Sequence, residues 1–476
     1  MRICHWRRLL GLGLAVWVIG QAAVAAEVTR KFAGKSYVQQ ADAWYVIEDN
    51  GDRFRVNPDV FTVKFKNNAQ RSEHLALHAA AGATVLRQAR TGYIDLRASD
   101  ELFTTMSLYQ DSDLVESVAP NTYGVYHLVP DDSQYGSQWY PSVINAEAAW
   151  DLTTGSPTVV IAVLDSGTEF NHEDLGEGPD AYQNVWLNPG EDTWSDPSDP
   201  STGNGIDDDG NGFVDDWKGW DFDANDNNGS GSFFHGTAVA GVVAAKTNNA
   251  LGVAGVGGGF GNQGLGIMIG GVGNNAPNGS VLDDGILYAA ENGARVVQLS
   301  LSVGQSPALD AAIQMAYEDF GVLIVCSSGN GGGSSVSYPS SNPFIMAVGA
   351  TNSNDLKAGF SQFGTNLEIA APGVDIRTTS IGNGYTTTSG TSFSSPIISA
   401  VAGLMWSLNP ALTNDQVRDF LHQASEQVGP YDYNHDMARP GHSLELGYGR
   451  INVLTALQLS GLVEEILVDG FEVAAP

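Results

Sequence analysis

Val159-Val160-Ile161-Ala162-Val163-Leu164-Asp165-Ser166-Gly167 runs six apolar residues into a carboxylate and a glycine. A strand with one wet face alternates apolar and polar side chains. This one does not, so it reads as a strand covered on both faces, as in a parallel sheet between helices. The pattern returns in ARVVQLSL at 294–301 and GVLIVCSSG at 321–329, each preceded by a helix-like stretch, LDDGILYAAENG at 282–293 and PALDAAIQMAYEDF at 307–320. Strands and helices in alternation predict an α/β fold with a mainly parallel sheet between two helical layers. The Gly, Ser and Asn residues after the strands fall at carboxyl ends, where such sheets carry their sites.

Asp165 closes the first of these strands. Further on, HGTAVAG at 235–241 is a run of small residues led by His235, with Gly236, Ala238, Ala240 and Gly241 small enough for a helix to pack closely beside another. Later still, SGTSFSSP at 389–396 runs into the small-residue helical stretch IISAVAGLMW. That places the Ser392 hydroxyl at a helix N-terminus, where unpaired N–H groups and the positive end of the helix dipole stabilise developing negative charge. A serine needs a base, and His235 and Asp165 can supply the base and its orienter.

In the order Asp165, His235, Ser392, with matching segments from about 130 to 460, the chain resembles the subtilisin-like serine peptidases. The resemblance implies a subtilisin-like three-layer fold and peptide hydrolysis by Ser392 as nucleophile, His235 as general base and Asp165 as its orienter, without a catalytic cofactor. It also implies that Asn330, in SSGNGGG, donates its amide to the oxyanion. The family commonly has a second histidine where this chain has Ala238. His235 and Asn330 together point away from the related sedolisins, which use Glu and Asp in those roles. Ser392 lacks a G-x-S-x-G elbow, which disfavours an α/β-hydrolase esterase. A calcium-binding or adhesion module on a degenerate peptidase fold is the alternative outside catalysis.

The substrate groove is expected along Ser300-Leu301-Ser302, where the family commonly has SLGG, so Ser302 and Val303 put the usual pocket width in doubt. Ser337 matches the pocket floor and suits medium to large apolar side chains.

NGIDDDGNGFVDDWKGWDFD at 204–223 carries a different chemistry. Asp207, Asp209, Asn211, the Phe213 carbonyl and Asp215 follow the odd-position spacing of a Ca²⁺ loop, with Gly212 at the turn. The twelfth place is Lys218 where a bidentate Glu is expected, and Asp216 is a candidate substitute.

Of 476 residues, 22 are Lys or Arg and 54 are Asp or Glu, a net charge of −32 that leaves no cationic surplus for nucleic acid. The first 26 residues join a basic start, a short apolar run and the small-residue site Ala23-Val24-Ala25, which predicts an export signal and a secreted protein with no membrane anchor. Cys4 would leave with it, and Cys326, in an apolar run, reads as a small buried hydrophobe.

Residues 27–128 read as a small α+β unit of βαββαβ type, with FTVKFK, TGYIDLRA and a last strand in NTYGVYHL among its strands and AQRSEHLALHAAAGAT and ELFTTMSLYQ as its helices. The unit resembles the family's inhibitory propeptide, or else is an ordinary retained domain. The peptidase domain is expected over 129–460, with a tail at 461–476 beyond the last helix. The expected partners are protein or peptide substrates and the chain's own propeptide, acting on a monomer.

Overall fold

The computed structural model describes residues 28–40, 43–47, 53–123, 128–176, 182–434 and 436–468; the expected export signal and the end of the tail lie outside them. The chain divides into two compact units, Met1–Tyr126 and His127–Pro476.

The first unit opens with three strands that the sequence reading omitted: Val28–Phe32 (β1), Lys35–Gln40 (β2) and Ala43–Ile47 (β3). β1 and β2 pair antiparallel across a two-residue turn in which Ala33 and Gly34 both have positive φ, 48° and 85°. That geometry suits the right-handed twist of a hairpin, but alanine is a poor sequence signal for it. Then come Arg53–Phe65 (β4), Arg71–Ala80 (α1), Ala83–Gln88 (β5), Ile94–Ala98 (β6), Leu102–Gln110 (α2) and Val115–Thr122 (β7). From β4 onward this is the expected βαββαβ order. The last strand, however, is Val115–Thr122, and only Asn121 and Thr122 of NTYGVYHL belong to it. Its register with β4 explains the choice, since it buries Val115 and Val118 in the core formed with Phe61, Val63, Phe103 and Met106.

The second unit adds the short helices Tyr140–Val143 (α3) and Ala146–Trp150 (α4), then Val160–Asp165 (β8), Trp220–Asp221 (β9), Phe234–Ala244 (α5), Gly266–Gly271 (β10), Leu282–Glu291 (α6), Val296–Leu299 (β11), Pro307–Glu318 (α7), Leu323–Ser327 (β12), Ile345–Thr351 (β13) and Ile369–Pro372 (β14). The hairpin Ile376–Ser380 (β15) and Gly384–Thr388 (β16) leads into Thr391–Leu408 (α8), followed by Asn414–Gln423 (α9), Ser425–Glu426 (β17), Arg450–Ile451 (β18) and Val453–Val468 (α10). Among the described residues nine strands form one sheet in the order β17-β18-β14-β13-β12-β11-β8-β10-β9. It is parallel except for the β17–β18 pair.

The unbroken apolar runs are buried on both faces, as their composition demands. In β8, Ile161 and Val163 pack with residues of α5 and α8, while Val160, Ala162 and Leu164 pack with residues of α6 and α7. The result is a three-layer α/β fold. α10 continues through Gly461 to Val468, so the helix does not end where the tail was expected to begin.

Candidate active site

Alternation along β8 decides which layer receives its carboxylate. Asp165 shares parity with Ile161 and Val163 and so faces α5 and α8. His235 is the second residue of α5 and Ser392 the second of α8, so both helices present their functional group at the N-terminal end. Gly236 lets α5 close on the end of β8: a Cβ there would lie 2.1 Å from the Gly167 carbonyl oxygen. Gly241 serves a different contact from the expected one, with a Cβ meeting Thr379 Oγ1 at 2.1 Å in β15, not the serine helix.

His235 Nδ1 donates to Asp165 Oδ1 over 2.8 Å. Ser166 N donates to the same oxygen at 2.7 Å, and the Asp165 side chain is 5% exposed. Burial pulls the imidazole towards the neutral form, but the charge and hydrogen bond of Asp165 outweigh it and raise His235 above its ordinary value of 6.5. Held by Nδ1, the ring has Nε2 left to accept a proton. Phe233, stacked 6.4 Å away, and Phe393, at 5.6 Å, flank it. Ser392 is buried, and its Oγ donates to the Ser300 carbonyl oxygen at 3.3 Å.

Asn330 caps α8. Its Oδ1 accepts from Thr391 N at 2.9 Å and from Thr391 Oγ1 at 3.0 Å, so its Nδ2 is the amide's remaining donor. The Ser392 N–H, in the first turn of the helix, has no intrahelical carbonyl to bond. These are the two donors that an oxyanion site requires.

A cleft of about 250 Å³ adjoins His235 and Asp165. Ser300, Leu301 and Ser302 line it, as do Phe233, Asn274 and Pro277, which the sequence reading did not single out. Phe233 could have been noticed as the large ring in SFFHG, two residues before the base. Ser337 stands apart from this cleft, its Oγ donating to Gln362 Oε1 at 3.2 Å beside Gly329.

The acidic loop is assembled differently from its spacing. Asp209 and Asp216 converge with Glu191, from an earlier segment, so that one oxygen of each lies within 4.8 Å of the others. Asn211 Nδ2 joins Asp209 to Asp216 at 3.1 Å each. Asp207 turns its carboxylate to the backbone N–H groups of Gly210, Asn211 and Gly212, and Asp215 turns to Gly205 N. The Phe213 ring packs on Trp220, Phe222 and Tyr288. Burial raises both Glu191 and Asp216, and Glu191 Oε2 is buried with no hydrogen-bond partner among the described residues. An orphaned carboxylate oxygen among other oxygens fits a hard cation such as Ca²⁺. Lys218, in the twelfth place, is withdrawn: its Nζ donates to the Pro197 carbonyl at 2.8 Å and lies 4.9 and 5.1 Å from the Trp217 and Phe170 ring centres.

A second buried anionic pair went unread. Burial pushes Asp174 up to about 7 and Asp132 up to about 6. Asn249 Nδ2 and Val253 N donate to Asp174, Asn248 N donates to Asp132 Oδ2, and Asp132 Oδ1 is buried with no partner among the described residues. Cys326 is a free thiol, fully buried and pushed by burial up to about 11, so it is no nucleophile. No helix among the described residues is long and apolar enough to cross a membrane.

The subtilase family profile matches residues 156–449. The chain is 33% identical to the halolysin-like extracellular serine protease Nep of Natrialba magadii, over 74% of this chain and 57% of that protein. It is 32% identical to the thermophilic serine proteinase of Bacillus sp. (strain AK1), over 72% of this chain and 73% of that one. Thermitase of Thermoactinomyces vulgaris is 31% identical over 69% of this chain and 99% of its own length. The matched span contains the strand that ends in Asp165, the helix that opens on His235 and the helix that opens on Ser392. The chain belongs to the subtilase family of serine-type endopeptidases.

Proposed function

We propose that the protein is an exported endopeptidase made as a zymogen, with catalysis by Asp165, His235, Ser392 and Asn330. The observation that carries this reading is the arrangement of the His235–Asp165 hydrogen bond at 2.8 Å beside a helix N-terminus that bears Ser392 and is capped by Asn330. In the chemical step Ser392 Oγ attacks the scissile carbonyl while His235 Nε2 takes its proton. The oxyanion is met by the Asn330 Nδ2 and Ser392 N–H donors. His235 then gives the proton to the leaving amine, the C–N bond breaks, and an acyl-ester remains on Ser392. Water, deprotonated by the same nitrogen, hydrolyses the ester. Asp165 stays ionised and stabilises the imidazolium. Ser300, Leu301 and Ser302 form a wall for the substrate side chain before the scissile bond.

Residues 1–26 serve as the export signal, 27–128 as an inhibitory propeptide and 129–460 as the peptidase. The extracellular setting printed in the name of the Natrialba magadii relative supports export of this chain. Ca²⁺ is the structural cation proposed for Glu191, Asp209 and Asp216, and it takes no part in the chemistry. Mass spectrometry of the exported protein beside its Ser392→Ala variant tests the reading. The wild type should take a fluorophosphonate label on Ser392 and lack residues 27 to about 128, and the variant should do neither. Export of an unlabelled, uncut wild type would favour a binding module on a degenerate peptidase fold.

A further inference from the structure

Between β11 and α8 runs a buried polar column. Gln298 stands in β11 between Val297 and Leu299 and is fully buried. Its Nε2 donates to Ser300 Oγ and Ser395 Oγ, both at 2.8 Å, and its Oε1 accepts from Ser399 Oγ at 2.5 Å. Ser395 and Ser399 are themselves fully buried in α8.

The reason for the column lies four residues after the nucleophile. Pro396 sits inside α8 and has no N–H, so the Ser392 carbonyl loses the intrahelical bond it would otherwise accept. Ser300 Oγ takes that place, donating to Ser392 O at 2.7 Å, while Ser392 Oγ donates back to Ser300 O at 3.3 Å. A hydroxyl is a free rotor with one proton and two lone pairs. Gln298 Nε2 occupies a lone pair of Ser300 and thereby directs its proton at Ser392 O. Ser399, at the other end, fixes the amide by holding Oε1.

We propose that Gln298 is a positioning residue for the nucleophile: through Ser300 it sets the place of the Ser392 backbone, and with it Oγ and the oxyanion N–H, relative to His235 and Asn330. This rests on Ser392 being the nucleophile. A column that only satisfied buried polar groups would contribute to stability and leave turnover alone.

Gln298→Met keeps the length of the side chain and removes its hydrogen bonds. With a peptide substrate, kcat should fall between about tenfold and a hundredfold, the range expected when a reacting group is displaced by up to an ångström. KM should stay within about twofold, and fluorophosphonate labelling of Ser392 should slow by the same factor as kcat. Ser399→Ala, which removes one hydroxyl, should lower kcat in the same direction by less. A folded Gln298→Met enzyme with a lowered melting temperature but wild-type kcat and labelling rate would overturn the proposal. If Gln298→Met does not fold, unchanged kcat in Ser399→Ala overturns it instead. Labelling that persists in Ser392→Ala would overturn the nucleophile assignment beneath it, an outcome distinct from either.

Discussion

Asp165 offers His235 one oxygen and withholds the other: Oδ1 accepts a hydrogen bond from imidazole Nδ1 at 2.8 Å, while Oδ2 is buried with no hydrogen-bond partner among the described residues. The same Oδ1 also accepts from Ser166 N at 2.7 Å, which holds the carboxylate in place beneath the ring. Its charge and hydrogen bond overcome the burial that would otherwise keep the imidazole neutral, and His235 titrates above 6.5.

The sign of the pH dependence follows. His235 works as a base only when Nε2 is unprotonated, so kcat/KM should fall as pH drops through the raised value, with the midpoint of the acid limb above 6.5. Asp165→Asn removes the raising influences and leaves burial, so the limb should move to lower pH. The maximal rate should also drop by about 10⁴-fold, the usual loss when a triad keeps its histidine but loses its carboxylate. A pH–rate series on both proteins checks this. An acid limb that does not move in Asp165→Asn would remove His235 from the role of base.

Ser392→Ala and His235→Ala should each abolish nearly all turnover, and the double variant should be little worse, because these groups act as a unit. Asn330→Ala should cost about 10² to 10³ in kcat. Its Oδ1 also caps α8, so the melting temperature should be measured beside the kinetics. Wild-type turnover in Asn330→Ala would refute the oxyanion role.

Calcium should raise the melting temperature of the mature protein and chelation should reverse the rise. A ligand bound only by the folded state adds about 2.7 kcal/mol at a hundredfold excess over Kd. Glu191→Gln and Asp209→Asn should each remove much of the response. Asp207→Ala should act more weakly and through the loop backbone, since its oxygens are engaged by three N–H groups. An unchanged calcium response in Glu191→Gln would mean that another site dominates.

Processing should occur between Thr122 and Asp132. β7 ends at Thr122, while Asp132 Oδ2 is tied to Asn248 N at 2.7 Å and Gln134 N to Gly252 O at 2.8 Å, so the bonds on either side are held in structure. A tethered substrate has a high effective concentration, and first cleavage should be intramolecular. Its half-time should stay constant over a tenfold dilution of purified precursor, and Ser392→Ala should remain uncut. A half-time that lengthens with dilution would mean processing in trans.

The features that could be read in the sequence were those with a local signature. The run before Asp165 announced a doubly covered strand, and the helical runs after His235 and Ser392 announced where those groups stand. What escaped reading depended on partners far along the chain. Glu191 meets Asp209 only after folding, and nothing in its own segment marks it. Asp132 and Asp174 are separated by β8 and look like ordinary polar residues until burial is known. Gln298 was passed over because one amide in VVQL does not disturb an apolar run; its value lies in the hydroxyls of a helix almost a hundred residues later. The hairpin turn at Ala33 lacked the residue that would have advertised it.

Lys218 has a consequence for kinetics. Its ammonium lies near the Trp217 and Phe170 rings and donates to the Pro197 carbonyl, which ties the acidic loop to two earlier segments. Such a clamp does in advance the ordering that a flexible loop would have to undergo during capture. A cation arriving at Glu191 would meet a socket already shaped, so uptake should be fast and a chelated protein should regain its calcium-raised melting temperature on re-addition of the metal without first unfolding.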